Sequence, residues 1–185
     1  MARVSRTPFV ILGILGVAGR RKVSGYDLKQ VIDRTISHFW SESYGQIYPV
    51  LRQMTAGKLI AARECRENGR KKTVYTIAAK GRKSLADWME RPPEEGPKRD
   101  ELVLKLFFGS QTSPRVLMRH LQGARDRIKA VSEPFAGWLK QLESQREENT
   151  VFQAMTLRGG IVMCRAFVEW ADESLAVLGR MKGGK

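Results

Sequence analysis

From Thr7 the chain is apolar almost without relief. Phe9, Val10, Leu12, Ile14, Leu15 and Val17 fall on all sides of a helix, as expected of a segment at the centre of a small domain. Thr7 can cap this helix, and Pro8 can take its first position, where a missing N–H costs little. Gly13, Gly16 and Gly19 follow no strand, so they predict close helix packing rather than a phosphate loop. Ser24 is placed to cap a second helix, Gly25 to about Thr35, with Leu28, Val31 and Ile32 inward. Phe39 and Trp40 come next, in a stretch without clear period, where two large aromatics are expected to plug a core. In a third helix, about Tyr44 to Ala56, Ile47, Leu51 and Met54 recur at i, i+4 and i+7. Pro49 fits a regular helix only near its first turn, which moves the expected start toward Gly45 or Gln46. Gly57 is placed to end it.

The period then changes to two. Residues 59–64 and 73–77 read as strands, the second rich in β-branched and aromatic residues. Asn68-Gly69 between them is a strong hairpin signal, and Arg70, Lys71 and Lys72 are expected at its tip. A fourth helix spans residues 79–91 and carries Leu85, Trp88 and Met89. Pro92-Pro93-Glu94-Glu95-Gly96-Pro97 then separates two expected domains, 1–91 and 98–185. The second reads as all helix. Residues 100–109 form a short apolar helix. A long helix capped by Ser113 carries Leu117, Leu121, Ala124, Ile128, Val131, Phe135, Trp138 and Leu142 in alternating steps of four and three, with a kink expected at Pro134. The last helix, 150–181, has two apolar edges. Met155, Gly159, Val162 and Ala166 lie along one, and Met163, Phe167, Trp170 and Leu178 along the other. Such breadth suits one neighbour from the same chain and one from another. The expected fold is mainly α with a small β-hairpin.

Charge narrows the function. The 185 residues carry a formal net charge of +14. Residues 1–91 hold 18 Lys and Arg against 7 Asp and Glu, while residues 92–185 hold 15 against 12. The excess in the first half predicts an anionic partner bound there. Cys65 and Cys164 imply no disulfide framework and fit a reducing cytoplasm. The apolar run at 9–18 is too short to span a bilayer, so no membrane partner is expected. His38 and His120 lack ligands at helical spacing, which argues against a metal site or metal sensor. Motifs for a nucleophile, a P-loop or a redox pair are absent, so neither catalytic residues nor a cofactor is expected.

With Ile47, Leu51 and Met54 buried, the third helix would present Ser43, Tyr44, Gln46, Tyr48 and Arg52. Gln can bond adenine edges and Arg guanine edges in the major groove, and hydroxyls reach phosphate or base. Three adjacent cations on a turn repel one another and gain from a polyanion. A reading helix followed by a basic hairpin is the toolset of a winged helix-turn-helix. The competing reading is a helical interaction or structural module without specific DNA binding.

Several stretches resemble the PadR family of bacterial transcriptional regulators. They are Ser24-Gly-Tyr-Asp-Leu28, Phe39-Trp40, Gly45-Gln-Ile-Tyr-Pro-Val-Leu-Arg-Gln-Met54, Gly57-Lys-Leu-Ile60 and Gly69-Arg-Lys-Lys-Thr-Val-Tyr-Thr-Ile77, with Gly81 after them. The tail, with Leu104-Lys-Leu-Phe-Phe-Gly109 and Trp170, is similar to the larger subfamily, whose C-terminal helical domain makes the dimer. The resemblance implies a cytoplasmic, nucleoid-associated homodimer that represses from a palindromic operator on double-stranded DNA. Release by a small hydrophobic or phenolic effector is also implied. It assigns DNA contacts to Ser43, Tyr44, Gln46, Tyr48, Arg52, Arg70, Lys71 and Lys72, and adds Tyr26 and Lys29 as backbone contacts. Effector pockets are not carried over by the resemblance. Phe39, Trp40, Trp88, Phe107 and Phe108 are candidates because they flank the domain boundary or the aromatic loop, with core packing as the rival role.

Overall fold

The first helix has almost no solvent face to offer, and the first unit of the computed structural model is built around it. Residues 5–19, 21–36, 39–67, 70–94, 99–145 and 147–182 are described. The Asn68-Gly69 turn, His38 and residues 95–97 of the proline-rich segment lie outside them. The chain divides into two compact units, Met1–Glu95 and Gly96–Lys185.

In the first unit, α1 (Thr7–Ala18) buries Ile11, Leu12 and Leu15. Its N-cap is Arg6, one residue before the expected Thr7. Thr7 is itself buried, and its Oγ1 accepts from the Ser5 hydroxyl. The chain then forms β1 (Val23–Ser24), α2 (Gly25–Thr35), α3 (Tyr44–Ala56), β2 (Ile60–Glu67), β3 (Arg70–Ile77) and α4 (Ala79–Met89). The sheet order is β1-β3-β2, antiparallel throughout. β1 has only two residues, too few for a period, and no sequence signal marked it. Leu28, Ile32, Ile47, Leu51, Met54, Ile60 and Ile77 close over α1 as one apolar cluster. Full burial of each such side chain stabilises the fold by about 1.5–3 kcal/mol.

Two local expectations need correction. Pro49 sits inside α3, six residues past the Ser43 cap, and the helix starts at Tyr44 regardless. Its missing N–H leaves the carbonyl of Gly45, and that residue is exposed to water. Gly57 ends the helix as expected, in the right-handed region, and the left-handed conformation falls on Lys58 (φ 58°). Finally, β2 and β3 are each longer than read, so Arg70, Lys71 and Lys72 belong to β3 rather than to a turn. Charged positions had concealed the strand pattern, because this part of the hairpin has no core to face.

In the second unit, α5 (Glu101–Phe107) is capped by Asp100 and followed by a 3-10 turn, Gly109–Gln111. The long helix expected around Pro134 is two helices, α6 (Pro114–Ser132) and α7 (Phe135–Glu143), so the proline breaks the helix where a kink was expected. Accordingly the heptad stripe does not stay on one seam. Leu117, Leu121, Ala124 and Phe135 are buried, whereas Val131 is exposed. The last helix, α8 (Glu148–Lys182), packs on α6 and α7. Thr150, Ala154, Leu157 and Ala171 are its buried residues, a line on the side of the helix opposite the edge of Met155, Gly159, Val162 and Ala166. Arg125 donates to Asp172 at 2.7 Å and Arg158 to Glu143 at 2.6 Å, tying α8 to α6 and α7. By length and composition Glu148–Met181 could cross a membrane.

α4 meets the sheet at Gly81, where a Cβ would stand 2.1 Å from the Leu59 carbonyl oxygen and 2.9 Å from Leu12. Backbone cannot yield as a side-chain tip can. Gly81→Ala is therefore expected to destabilise the first unit by about 1–3 kcal/mol, the range for overpacking, read as a lowered urea midpoint.

Candidate nucleic-acid interface

The same device builds the starts of α2 and α3. Ser24 Oγ accepts from the Asp27 N–H, and the Asp27 carboxylate accepts from the Ser24 N–H at 2.9 Å. Ser43 Oγ accepts from the Gln46 N–H, and Gln46 Oε1 accepts from the Ser43 N–H at 2.7 Å. These are reciprocal capping boxes, each satisfying two backbone donors that a helix start otherwise leaves open. The second changes the role expected of Gln46. Its carbonyl serves the cap, so a two-point bond to adenine would require the cap to open. Its amide nitrogen can still donate outward.

α3 buries Ile47, Leu51 and Met54, while Tyr44, Gly45, Gln46, Tyr48, Pro49, Arg52 and Gln53 are exposed. At 100° per residue, Gly45, Pro49, Arg52 and Ala56 lie farthest from the buried line. Three of these are small or compact, so a groove wall could approach the helix backbone closely there. Tyr44 and Tyr48 lie to one side, toward α2. Their rings stack 6.2 Å apart, and the Lys29 ammonium sits 5.7 Å from the Tyr44 ring centre. Lys29 also pairs with Asp33 one turn along α2. Tyr48 lies against Gly25, where a Cβ would come within 2.7 Å of its ring. Gly25, Lys29 and Asp33 thus form a row on α2 beside the Tyr44–Tyr48 row on α3. On the sheet side, burial pushes the Tyr75 phenol up, with Tyr48 adding to the effect and Arg52 opposing it. Tyr26 is exposed, and its hydroxyl accepts from Gln30 at 3.2 Å.

The β2–β3 arm separates its cations by register. Arg66 stands directly opposite Lys71, Cys65 opposite Lys72, and Glu67 opposite Arg70. Arg66 and Lys71 are both exposed, and like charges so placed destabilise a hairpin until an anion comes between them. Arg63, also exposed, lies three residues back along β2. Lys72 faces the other way and meets the Asp27 carboxylate at 3.4 Å. Arg63, Arg66 and Gln53 escaped the sequence reading. Extending β2 past Glu64 would have placed the two arginines on the arm, and the spacing of Gln53 from Gln46 and Pro49 would have placed it on the outer surface of α3.

Among the effector candidates, Trp88 stacks on Phe9 at 4.7 Å inside the first unit. Phe39 is exposed, and the Trp40 indole N–H donates to Glu42 at 2.9 Å. Glu42 is buried, and its other carboxylate oxygen is without a hydrogen-bond partner among the described residues. Phe107 and Phe108, in the second unit, are exposed and meet edge to face. Among the described residues, no three His, Cys, Asp or Glu gather as a metal site would require.

A capped helix pair beside a three-stranded sheet with a long basic arm defines a winged helix-turn-helix protein. Residues 14–87 match the PadR-like family of transcriptional regulators, and residues 98–179 match the virulence activator alpha C-terminal domain. The negative transcriptional regulator PadR of Bacillus subtilis is 29% identical over 139 residues, covering 66% of this chain and 76% of that protein. A probable transcriptional regulator of Mycobacterium tuberculosis is 29% identical over 165 residues, covering 81% and 87%. The crystal structure of Bacillus subtilis PadR in complex with operator DNA superposes with a TM-score of 0.84 at 24% identity, over 95% of this chain and 99% of that one. The Vibrio cholerae virulence activator AphA gives 0.76 at 26%, over 95% and 99%. The chain thus carries a PadR-like domain followed by a virulence activator alpha C-terminal domain and is homologous to the PadR regulators, a family of DNA-binding proteins rather than enzymes.

Asp27 gives the helix pair an acid sensitivity. Burial raises its pKa, but hydrogen bonds from Ser24 and the charge of Lys72 outweigh burial and hold the carboxyl below the usual aspartate range. A carboxylate depressed by folding stabilises the fold above its unfolded pKa, and that contribution disappears as pH falls through the folded value. The stability difference between wild type and Asp27→Asn is thus expected to be largest near neutrality and to shrink below the aspartate range. Melting curves across pH check this, and a constant difference would exclude it.

Proposed function

We propose that this protein is a homodimeric, sequence-specific repressor that inserts α3 into the major groove of a palindromic operator. The observation that carries this reading is the exposed α3 surface, rigidly capped and placed beside an arm of unbalanced positive charge. Arg52, Gln46 through its amide nitrogen, and Gln53 are the base-reading candidates. Ser43, Tyr44, Tyr48, Tyr26 and Lys29 line the backbone side. Arg66, Arg70 and Lys71 follow the phosphates, with Lys72 beside them, bound to Asp27. The Bacillus subtilis relative seen with operator DNA supports the same use of the fold. The protein would act in the cytoplasm at the nucleoid.

The second unit supplies the dimer in this reading. Val151, Phe152, Met155, Val162 and Met163 are all more than half exposed on α8. They follow helical spacing along one side, the pattern of a surface that a second helix covers. Arg158 and Arg165 along the same helix suit a protein partner better than a bilayer. A dimer places two reading helices about 34–36 Å apart, one turn of duplex. Release by a small phenolic or hydrophobic effector rests on the aromatic candidates Phe39, Trp40, Trp88, Phe107 and Phe108. A Bacillus subtilis PadR structure with p-coumaric acid is its counterpart among relatives. Tryptophan fluorescence that ignores phenolic acids would remove this element.

Two experiments test the main reading. With roughly six to ten phosphates neutralised per dimer, affinity for the upstream promoter duplex should fall by about 10³–10⁵ between 50 and 200 mM salt. In the same assay Arg52→Ala should cost ~1–3 kcal/mol on the operator alone, while Lys71→Ala weakens every duplex alike. Equal losses on operator and random DNA for Arg52→Ala would move base reading off α3. For the dimer, Met163→Glu, at a position 73% exposed in the single chain, should leave the fold intact and sediment as a monomer. A dimer that survives this change would place the interface elsewhere.

A further inference from the structure

The DNA-facing side is not uniformly positive. Asp27 stands in the first turn of α2, next to Tyr26, and its carboxylate reaches across to the wing. One oxygen, Oδ2, accepts from the Ser24 N–H at 2.9 Å and from the Ser24 hydroxyl at 2.7 Å, and lies 3.4 Å from Lys72 Nζ. The cap fixes the carboxylate, so its position does not depend on the lysine. We propose that Asp27 is a specificity-determining residue, which holds the Lys72 ammonium away from phosphate and so weakens binding to duplexes of arbitrary sequence. This rests on the DNA-binding reading above.

Two features of this surface would otherwise attract phosphate, and Asp27 occupies both. The N-terminus of a helix is an anion site, because its open N–H groups and dipole favour negative charge. At α2 that position already holds a carboxylate. The Lys72 ammonium is the second feature, and the same carboxylate neutralises it. A phosphate approaching either must come close to a like charge. The cap itself needs only an acceptor at this position, and an uncharged amide would provide one. The capping box strengthens with the charge of Asp27 but can form without it, and Lys72 is the cation on which that charge acts. Phosphate carries no sequence information, so the penalty falls on every duplex alike. Base contacts from α3 are made only on the right site. Subtracting a sequence-independent attraction therefore raises the ratio between specific and non-specific binding.

Fluorescence anisotropy of the full chain, with a random duplex and with its upstream promoter fragment over a range of salt, tests this. Asp27→Asn keeps an acceptor for the Ser24 N–H but removes the charge. It should tighten random-duplex binding roughly fivefold to tenfold near 100 mM salt and steepen the slope of log K against log salt by about 0.9, the signature of one more neutralised phosphate. The upstream fragment should gain less, so the ratio falls. Lys72→Met on the Asp27→Asn background should cancel the gain. A gain that persists in the double variant, or an unchanged slope in the single one, overturns the proposal. The wild-type background gives a test that leaves the cap untouched. There Lys71→Met should flatten the slope by about 0.9 while Lys72→Met leaves it unchanged. Equal flattening by both would also overturn the proposal. If wild-type protein binds neither duplex at low salt, the DNA-binding reading itself fails, a result distinct from any pattern among the variants.

Discussion

Burial of one side of α3 is the constraint on which the rest of the first unit depends. Ile47 and Leu51 are completely buried and Met54 nearly so, in the cluster that also holds Ile11, Leu12 and Leu15 of α1. Once those three side chains are committed, the opposite surface of the helix is committed to solvent or to a partner. Rotating α3 about its axis would expose three large apolar side chains, each worth about 1.5–3 kcal/mol when buried. The outward presentation of Arg52 is thus enforced by hydrophobic packing rather than by any interaction of Arg52 itself.

Around that fixed helix, smaller contacts set the details. Gly25 lets the Tyr48 ring lie directly on the start of α2, and Lys29 lies over Tyr44. The two helices are thereby held in register by aromatic rings, which lose little conformational freedom in packing. The Asp27–Lys72 pair joins the start of α2 to the wing arm. A partly exposed ion pair such as this contributes little to stability, typically below about 1 kcal/mol. Its importance lies in which cation it occupies. Arg66 and Lys71, by contrast, face each other across the arm. The surface thus combines a self-repelling pair that an anion relieves with a third cation already neutralised.

The second unit follows a different logic. Pro134 divides the long apolar stripe into α6 and α7, and both pack on α8. Small residues, Ala154 and Ala171, line the buried side of α8 and permit close approach, while larger ones such as Met155 and Met163 point away. This distribution inverts what a self-sufficient helical bundle requires. It fits a helix whose outer side is completed by another chain.

The sequence by itself determined the elements whose signals are local. Ser24 marks α2 because its side-chain oxygen meets a backbone donor three residues on, and the bounds of that helix agree with the reading, whereas Ser43 caps α3 ahead of the start that Pro49 suggested. The buried line of α3 and the segregation of positive charge into the first half were equally plain. Tertiary structure decided whatever depends on a partner distant in sequence. β1 exists only because β3 offers it hydrogen bonds, and β3 reaches back to Arg70 only because β2 extends to Glu67. The carbonyl of Gln46 is drawn into a cap, and Lys72 into a pair with a residue 45 positions earlier. A side chain's chemical type is written in the sequence. Whether its hydrogen-bonding groups and charge remain available is settled by the neighbours that folding brings to it, because each donor, acceptor or charge satisfied inside the fold is removed from the surface.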